Sequence, residues 1–199
     1  MTLMTNRRQF FGVVGLSIVS QICLAQTPTD ITSQSTKAWQ EFSLPNGQFV
    51  VSMPAKPKSQ AIPLDSKTIG LVAYILAADL DGESYAVAYV EFPNPIDDAA
   101  KSKAVLDGIV EKEVAKVAGR LGQRDIELNG FSGREVTIEV VDGFWVDRLY
   151  LVKGRVYFVS AFAAKRQVDA KEINKEQHAI IQKYFESLRL KLNHDVFHR

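Results

Sequence analysis

A carboxylate in the middle of an apolar strand has a chemical problem to solve, and Asp147 is such a group. It sits in Phe144-Trp145-Val146-Asp147-Arg148-Leu149-Tyr150-Leu151-Val152, where alternation puts it on the side of Trp145 and Leu149. An unpaired charge there costs several kcal/mol, so the group must be hydrogen-bonded, lie near a sheet end, or hold its proton more tightly than free aspartate does. Counting outward from the next turn sets Ser160 opposite it as the expected partner. The pair can be a structural hydrogen bond or a tuned acid lining a ligand pocket. The other side of these strands collects Arg124, Glu135, Tyr150 and Tyr157 in one row, with Thr137, Arg148 and Val159 in the next. Glu135 should bridge Arg124 and, diagonally, Arg148. Such a row reads as the solvated or lightly covered side of a sheet, or as a recognition surface built on rigid Arg and Tyr side chains. Asp147, Ser160, Arg148, Tyr150, Tyr157, Glu135 and Arg124 are the candidate ligand-binding residues; none is assigned a catalytic or metal-binding role.

Other constellations fall short of a site. His194 and His198 are spaced for one helical face and a shared metal, but the stretch lacks the glutamate of a zinc protease and reads as a tail over 193–199. His178 lies at the edge of a helical apolar stripe. Asp79-Leu80-Asp81-Gly82-Glu83 resembles the start of a calcium loop, yet Val90 stands where the closing carboxylate belongs. No Gly-x-Ser-x-Gly, phosphate loop or dinucleotide fingerprint is present, so no cofactor is expected.

The elements that must position the candidates follow from pattern. Asn129-Gly130, Asp142-Gly143 and Lys153-Gly154 mark two-residue turns. They divide strands Gln123 to Leu128, Phe131 to Val141, Phe144 to Val152 and Arg155 to Ala163. In that register Asp147 faces Ile138 and Ser160, and Val136, Ile138, Val140, Trp145, Leu149, Leu151, Val156, Phe158 and Phe162 share its side as core. Upstream, Trp39 to Ser43 and Gln48 to Met53 read as an opening hairpin around Pro45-Asn46-Gly47. Proline brackets an edge strand before Pro63, and Thr68 to Ala78 and Ser84 to Phe92 read as central strands. The small residues Ala86 and Ala88 suggest a helix packed close to their side. One helix opens at Asp97-Asp98 with a stripe of Leu106, Ile109, Val110, Val114 and Val117 ending at Gly119, and a second runs from about Asp169 to Ser187. A short strand from Leu188 to Leu192 closes the fold. The class is α+β: an antiparallel sheet of about six to nine strands flanked by two main helices, in one domain over residues 38–192.

The first residues carry an address. Asn6-Arg7-Arg8-Gln9-Phe10-Phe11, an apolar stretch from Gly12 to Val19, then Cys23-Leu24-Ala25 follow the charged, apolar, small order of a signal peptide over 1–25. The paired arginines resemble a twin-arginine signal, the alternative being the general secretory route. The apolar stretch is too short to span a bilayer, so no stable membrane span is expected in the mature chain. Cys23 lacks the preceding Leu and small residue of a lipid-anchor site. Removing 1–25 removes the single cysteine of the 199-residue chain, which leaves no disulfide or thiolate chemistry. Residues 26–37, rich in Ser and Thr, read as a flexible linker. With 24 Lys+Arg against 23 Asp+Glu, the charge balance argues against nucleic acid as a partner.

At Trp39-Gln40-Glu41-Phe42-Ser43, Phe49-Val50-Val51-Ser52-Met53-Pro54, Leu128-Asn129-Gly130-Phe131-Ser132-Gly133-Arg134-Glu135 and Arg148-Leu149-Tyr150-Leu151-Val152, the chain resembles a broad group of uncharacterised secreted bacterial proteins. The order of elements is similar to the PsbP-like fold, an α/β/α sandwich used by extrinsic photosystem subunits and periplasmic proteins. The resemblance implies an accessory or binding protein, and it carries no functional residue. The expectation is an exported, non-enzymatic protein of the periplasm, or of the thylakoid lumen in a photosynthetic source, binding a protein complex or envelope component. The alternative is a small-molecule or metal-dependent site around Asp147 or the terminal histidines, with hydrolase chemistry.

Overall fold

The computed structural model describes residues 38–64, 70–94, 96, 98–114, 120–166 and 171–191. Residues 1–37, read above as signal peptide and linker, residues 193–199 with His194 and His198, and Thr68, Asp97, Val117, Gly119 and Asp169 lie outside them. The fold is α+β. Its strands are β1 (Gln40–Phe42), β2 (Phe49–Met53), β3 (Lys58–Pro63), β4 (Val72–Leu80), β5 (Glu83–Glu91), β6 (Arg120–Leu128), β7 (Phe131–Val140), β8 (Gly143–Val152), β9 (Arg155–Ala164) and β10 (Arg189–Leu190). The helices are α1 (Ala99–Val114) and α2 (Lys175–Glu186). Seven strands form the main antiparallel sheet in the order β3-β4-β5-β9-β8-β7-β6; the other three form a small sheet, β1-β2-β10.

Alternation along the strands buries both faces of the main sheet. On one face α1 lays Leu106 and Val110 over Val136, Ile138, Leu149, Leu151 and Val156, the side predicted as core. On the other, α2 and the small sheet cover Tyr85, Val87, Tyr89, Val146, Tyr150, Tyr157 and Val159. The alanines of β5 face the α1 side, but α1 packs on β7 and β8. Ala86 and Ala88 are instead covered by Ile62, Leu64, Leu71, Trp145 and Phe158. β3 is an edge strand, as Pro63 within it and Pro57 before it suggest.

Helix boundaries follow from capping. The Asp98 carboxylate accepts from the Lys101 amide at 2.7 Å, which fixes the start of α1. α2 begins later than the apolar spacing suggests, because Asn174 takes the cap position and its Oδ1 accepts from the Gln177 amide at 2.9 Å. His178 is exposed on this helix.

Two of the three meander turns fall where the sequence places them: Leu128 pairs with Phe131, and Val152 with Arg155. The middle one is displaced. Val140 pairs with Gly143, so the turn residues are Val141-Asp142 and Gly143 belongs to β8. Gly143 serves packing: a Cβ there would come within 2.2 Å of the Ala163 carbonyl oxygen and 2.6 Å of the Phe162 ring. Sliding the turn by one residue moves each partner by two, which preserves the faces. Asp147 therefore faces Val136, not Ile138, and Glu135 faces Arg148 directly. Gly143→Ala is expected to cost at least about 2 kcal/mol by overpacking, read as a lowered urea midpoint. Gly122→Ala, where nothing lies within 4 Å, should leave the midpoint nearly unchanged; equal effects would contradict the assignment.

Candidate functional site

Asp147 and Ser160 are direct cross-strand neighbours on the α1 face, each 3% exposed. Both carboxylate oxygens of Asp147 are shut off from solvent. The structure thus brings this predicted pair together inside the sheet, away from the two grooves described below.

The polar row on the opposite face is covered at one end, where α2 packs on Arg148, and stays open at the other, where the Arg124 side chain is 61% exposed. Arg124 Nε and Nη2 donate to the two carboxylate oxygens of Glu135 at 2.7 and 3.0 Å. From the other side Arg148 Nε donates to Glu135 Oε2 at 2.7 Å, and its Nη2 donates to Gln182 Oε1 of α2 at 3.0 Å. The Arg148 guanidinium lies 4.2 Å from the centre of the Phe185 ring. Burial pushes the Glu135 carboxyl up, but the hydrogen bonds and charges of Arg124 and Arg148 outweigh it and hold the group below the ordinary glutamate range. Arg124–Glu135–Arg148 is a clamp between sheet and helix. Its chemistry is spent internally.

Arg134, 2% exposed, is a buried arginine outside the candidate set. On the α1 face it donates through Nε to Asp107 Oδ1 at 2.8 Å and forms an ion pair with Asp125 at 3.1 Å. Its signal was available: the Asn129-Gly130 turn sets Asp125 opposite Arg134.

Tyr150 and Tyr157 face each other across β8 and β9, but Tyr150 pairs with Gly133 and not with Glu135, so the displaced turn takes both tyrosines out of the Arg124–Glu135 row and into another. It runs Gly133, Tyr150, Tyr157, Tyr89, Tyr74, Ala61 across β7, β8, β9, β5, β4 and β3. Tyr89 and Tyr157 rings are 6.2 Å apart, and Tyr74 stacks on Tyr89 at 5.0 Å with 19° between planes. Burial pushes the phenols of Tyr89, Tyr150 and Tyr157 up.

This ladder holds the β1–β2 turn. Tyr157 Oη donates to the Gly47 carbonyl at 2.9 Å, Tyr89 Oη to that of Pro45 at 3.4 Å, and Arg155 Nη1 to that of Asn46 at 2.8 Å. Arg155 also pairs with Glu91 at 3.0 Å and lies 4.8 Å from the Tyr89 ring centre. Three anchors on consecutive carbonyls keep the turn upright, with Asn46 and Gln48 at φ of 63° and 53°. Between that turn and the sheet edge opens a groove of about 390 Å³, lined by Leu44, Pro45, Asn46, Ser59, Gln60, Ala61, Tyr74, Tyr89 and Glu91. Tyr74 in it is 41% exposed. A smaller groove of about 310 Å³ lies along β1, lined by residues including Gln40, Met53 and Lys56.

Among the described residues no cluster of His, Cys, Asp or Glu could hold a metal, and no helix is long and apolar enough to cross a membrane. The chain matches no family model, and comparison with curated proteins finds no match.

Proposed function

We propose that this is an exported, non-enzymatic binding or accessory protein of the PsbP-like kind, and that it holds an envelope component in the groove beside Tyr74. One observation carries this reading: a large aromatic side chain stays 41% exposed in a concave surface whose backbone is braced by three hydrogen bonds. Rigid aromatic area in a preformed concavity is what recognition sites provide. The leader-like 1–25 segment supports the location, and the internal use of Glu135, Arg124 and Arg148 supports a structural role for the clamp. At Arg148 the polar row could serve as a recognition surface only if α2 left, since Gln182 and Phe185 cover that end.

The test is site-directed photo-crosslinking in the full chain with its own leader. A photoreactive residue at position 74 should give a discrete adduct in the envelope fraction. The same residue at Lys103, on the outer side of α1, should give none. Adducts of equal yield at both positions, or none at position 74, would overturn the reading.

A further inference from the structure

The tyrosine ladder ends on its two smallest residues, and the two ends are filled differently. At the β7 end the Tyr150 ring lies over Gly133, where a Cβ would come within 2.6 Å of it. At the β3 end Ala61 stands across from Tyr74, and the groove opens there. The ring spacing of 5.0 Å between Tyr74 and Tyr89 matches the distance between neighbouring strands. The Tyr74 and Tyr89 rings therefore stand side by side on the sheet, with the outer face of Tyr74 turned towards the space above Ala61. Tyr89, one place along, is 3% exposed.

The rest of the lining defines what fits that space. Glu91 is the one charged residue among those lining the groove, and its ion pair with Arg155 balances it. An anion would meet the Glu91 carboxylate, and a cation would compete with Arg155 for it. Asn46, Ser59, Gln60 and Glu91 bring hydrogen-bonding groups to the lining, while Ala61, Leu44 and the ring face of Tyr74 bring apolar surface. The occupant needs one flat apolar face, polar groups around its edge and no net charge.

We infer that the groove binds a neutral sugar, with the C–H face of a pyranose ring on Tyr74 above Ala61 and its hydroxyls at Asn46, Ser59 and Glu91. This rests on the groove being the binding surface and names the class of its ligand.

The experiment is amide-resolved NMR titration of the full chain with two uncharged tetrasaccharides, one of β-1,4-linked N-acetylglucosamine and one of β-1,4-linked glucose, at millimolar concentration. At least one should give saturable shifts centred on Asn46, Ala61 and Tyr74. Tyr74→Ala should weaken binding about tenfold, Tyr74→Phe should retain it because the ring face is kept, and Ala61→Phe should abolish it by occupying the slot. Failure of both sugars to shift these residues, or binding that survives Ala61→Phe, would overturn the assignment. A blocked Gly-Tyr-Gly peptide that shifts them while both sugars stay silent would make the slot a peptide site. An adduct at position 74 with silent sugars removes only the ligand class; no adduct and silent sugars remove the groove as well.

Discussion

Tyr184→Ala is expected to destabilise the protein by about 3–5 kcal/mol, the range for removing a large ring from a packed core. Tyr184 is 0% exposed, its ring lies 5.1 Å edge-on to Tyr85, and its hydroxyl donates to the Ala86 carbonyl at 2.7 Å. α2 spans 12 residues, too few to hold helical shape in water alone, so its stability comes from docking. Tyr184 is the peg that docks it, with Ile181 and Phe185 beside it. Losing the peg leaves a cavity and loosens the roof over Arg148 and Glu135. Tyr184→Phe should cost only about 1–2 kcal/mol, the penalty of one buried hydrogen bond. Urea midpoints of the two variants measure the difference, and near-equal values would show that the ring's packing matters little.

Glu135→Ala should cost about 3 kcal/mol, since it strands the Arg148 guanidinium, whose side chain is 13% exposed, without its carboxylate. Replacing both partners, Glu135→Leu with Arg148→Met, should recover most of that loss, because the desolvation of the charges disappears with their attraction. The pair also sets a pH dependence. The folded state holds the Glu135 proton less tightly than the unfolded chain does. Its stabilisation is therefore complete above the ordinary glutamate range, declines as pH falls through that range, and is gone below the depressed folded value. Stability measured from neutral pH downwards should fall less steeply in Glu135→Gln than in the parent. A parallel decline in both would assign the acid sensitivity elsewhere.

What the sequence makes legible here is local. The pairs Asn129-Gly130 and Lys153-Gly154 set the register of β6, β7, β8 and β9 well enough to place Asp147 beside Ser160 and Arg124 beside Glu135. Asp142-Gly143 carries the same signal for a different reason, since Gly143 is small for the sake of Phe162, and that ambiguity moved the turn. The faces survived because a strand repeats every two residues. The Asp81-Gly82 turn would have set Tyr74 opposite Tyr89 by the same counting. The pairing of β5 with β9 joins Tyr89 to Tyr157 across a long stretch of chain and leaves no turn to count from. Without it the ladder reads as two separate pairs. Nothing local to β7 and β8 indicates that α2 returns over them, so Glu135 and Arg148 look solvated until the helix is in place.

Tyrosine reactivity tests the central claim most directly, because all six tyrosines lie in described parts of the fold and only Tyr74 has a large exposed surface. Burial also pushes the phenols of Tyr85, Tyr89, Tyr150, Tyr157 and Tyr184 up, which withholds the reactive phenolate from them. Nitration of the native protein followed by peptide mapping should modify Tyr74 first and leave Tyr150 and Tyr157 intact until the protein unfolds. Modification of Tyr150 or Tyr157 as fast as Tyr74 would mean that the ladder is open along its length, and that the molecule meets its partners where α2 is placed.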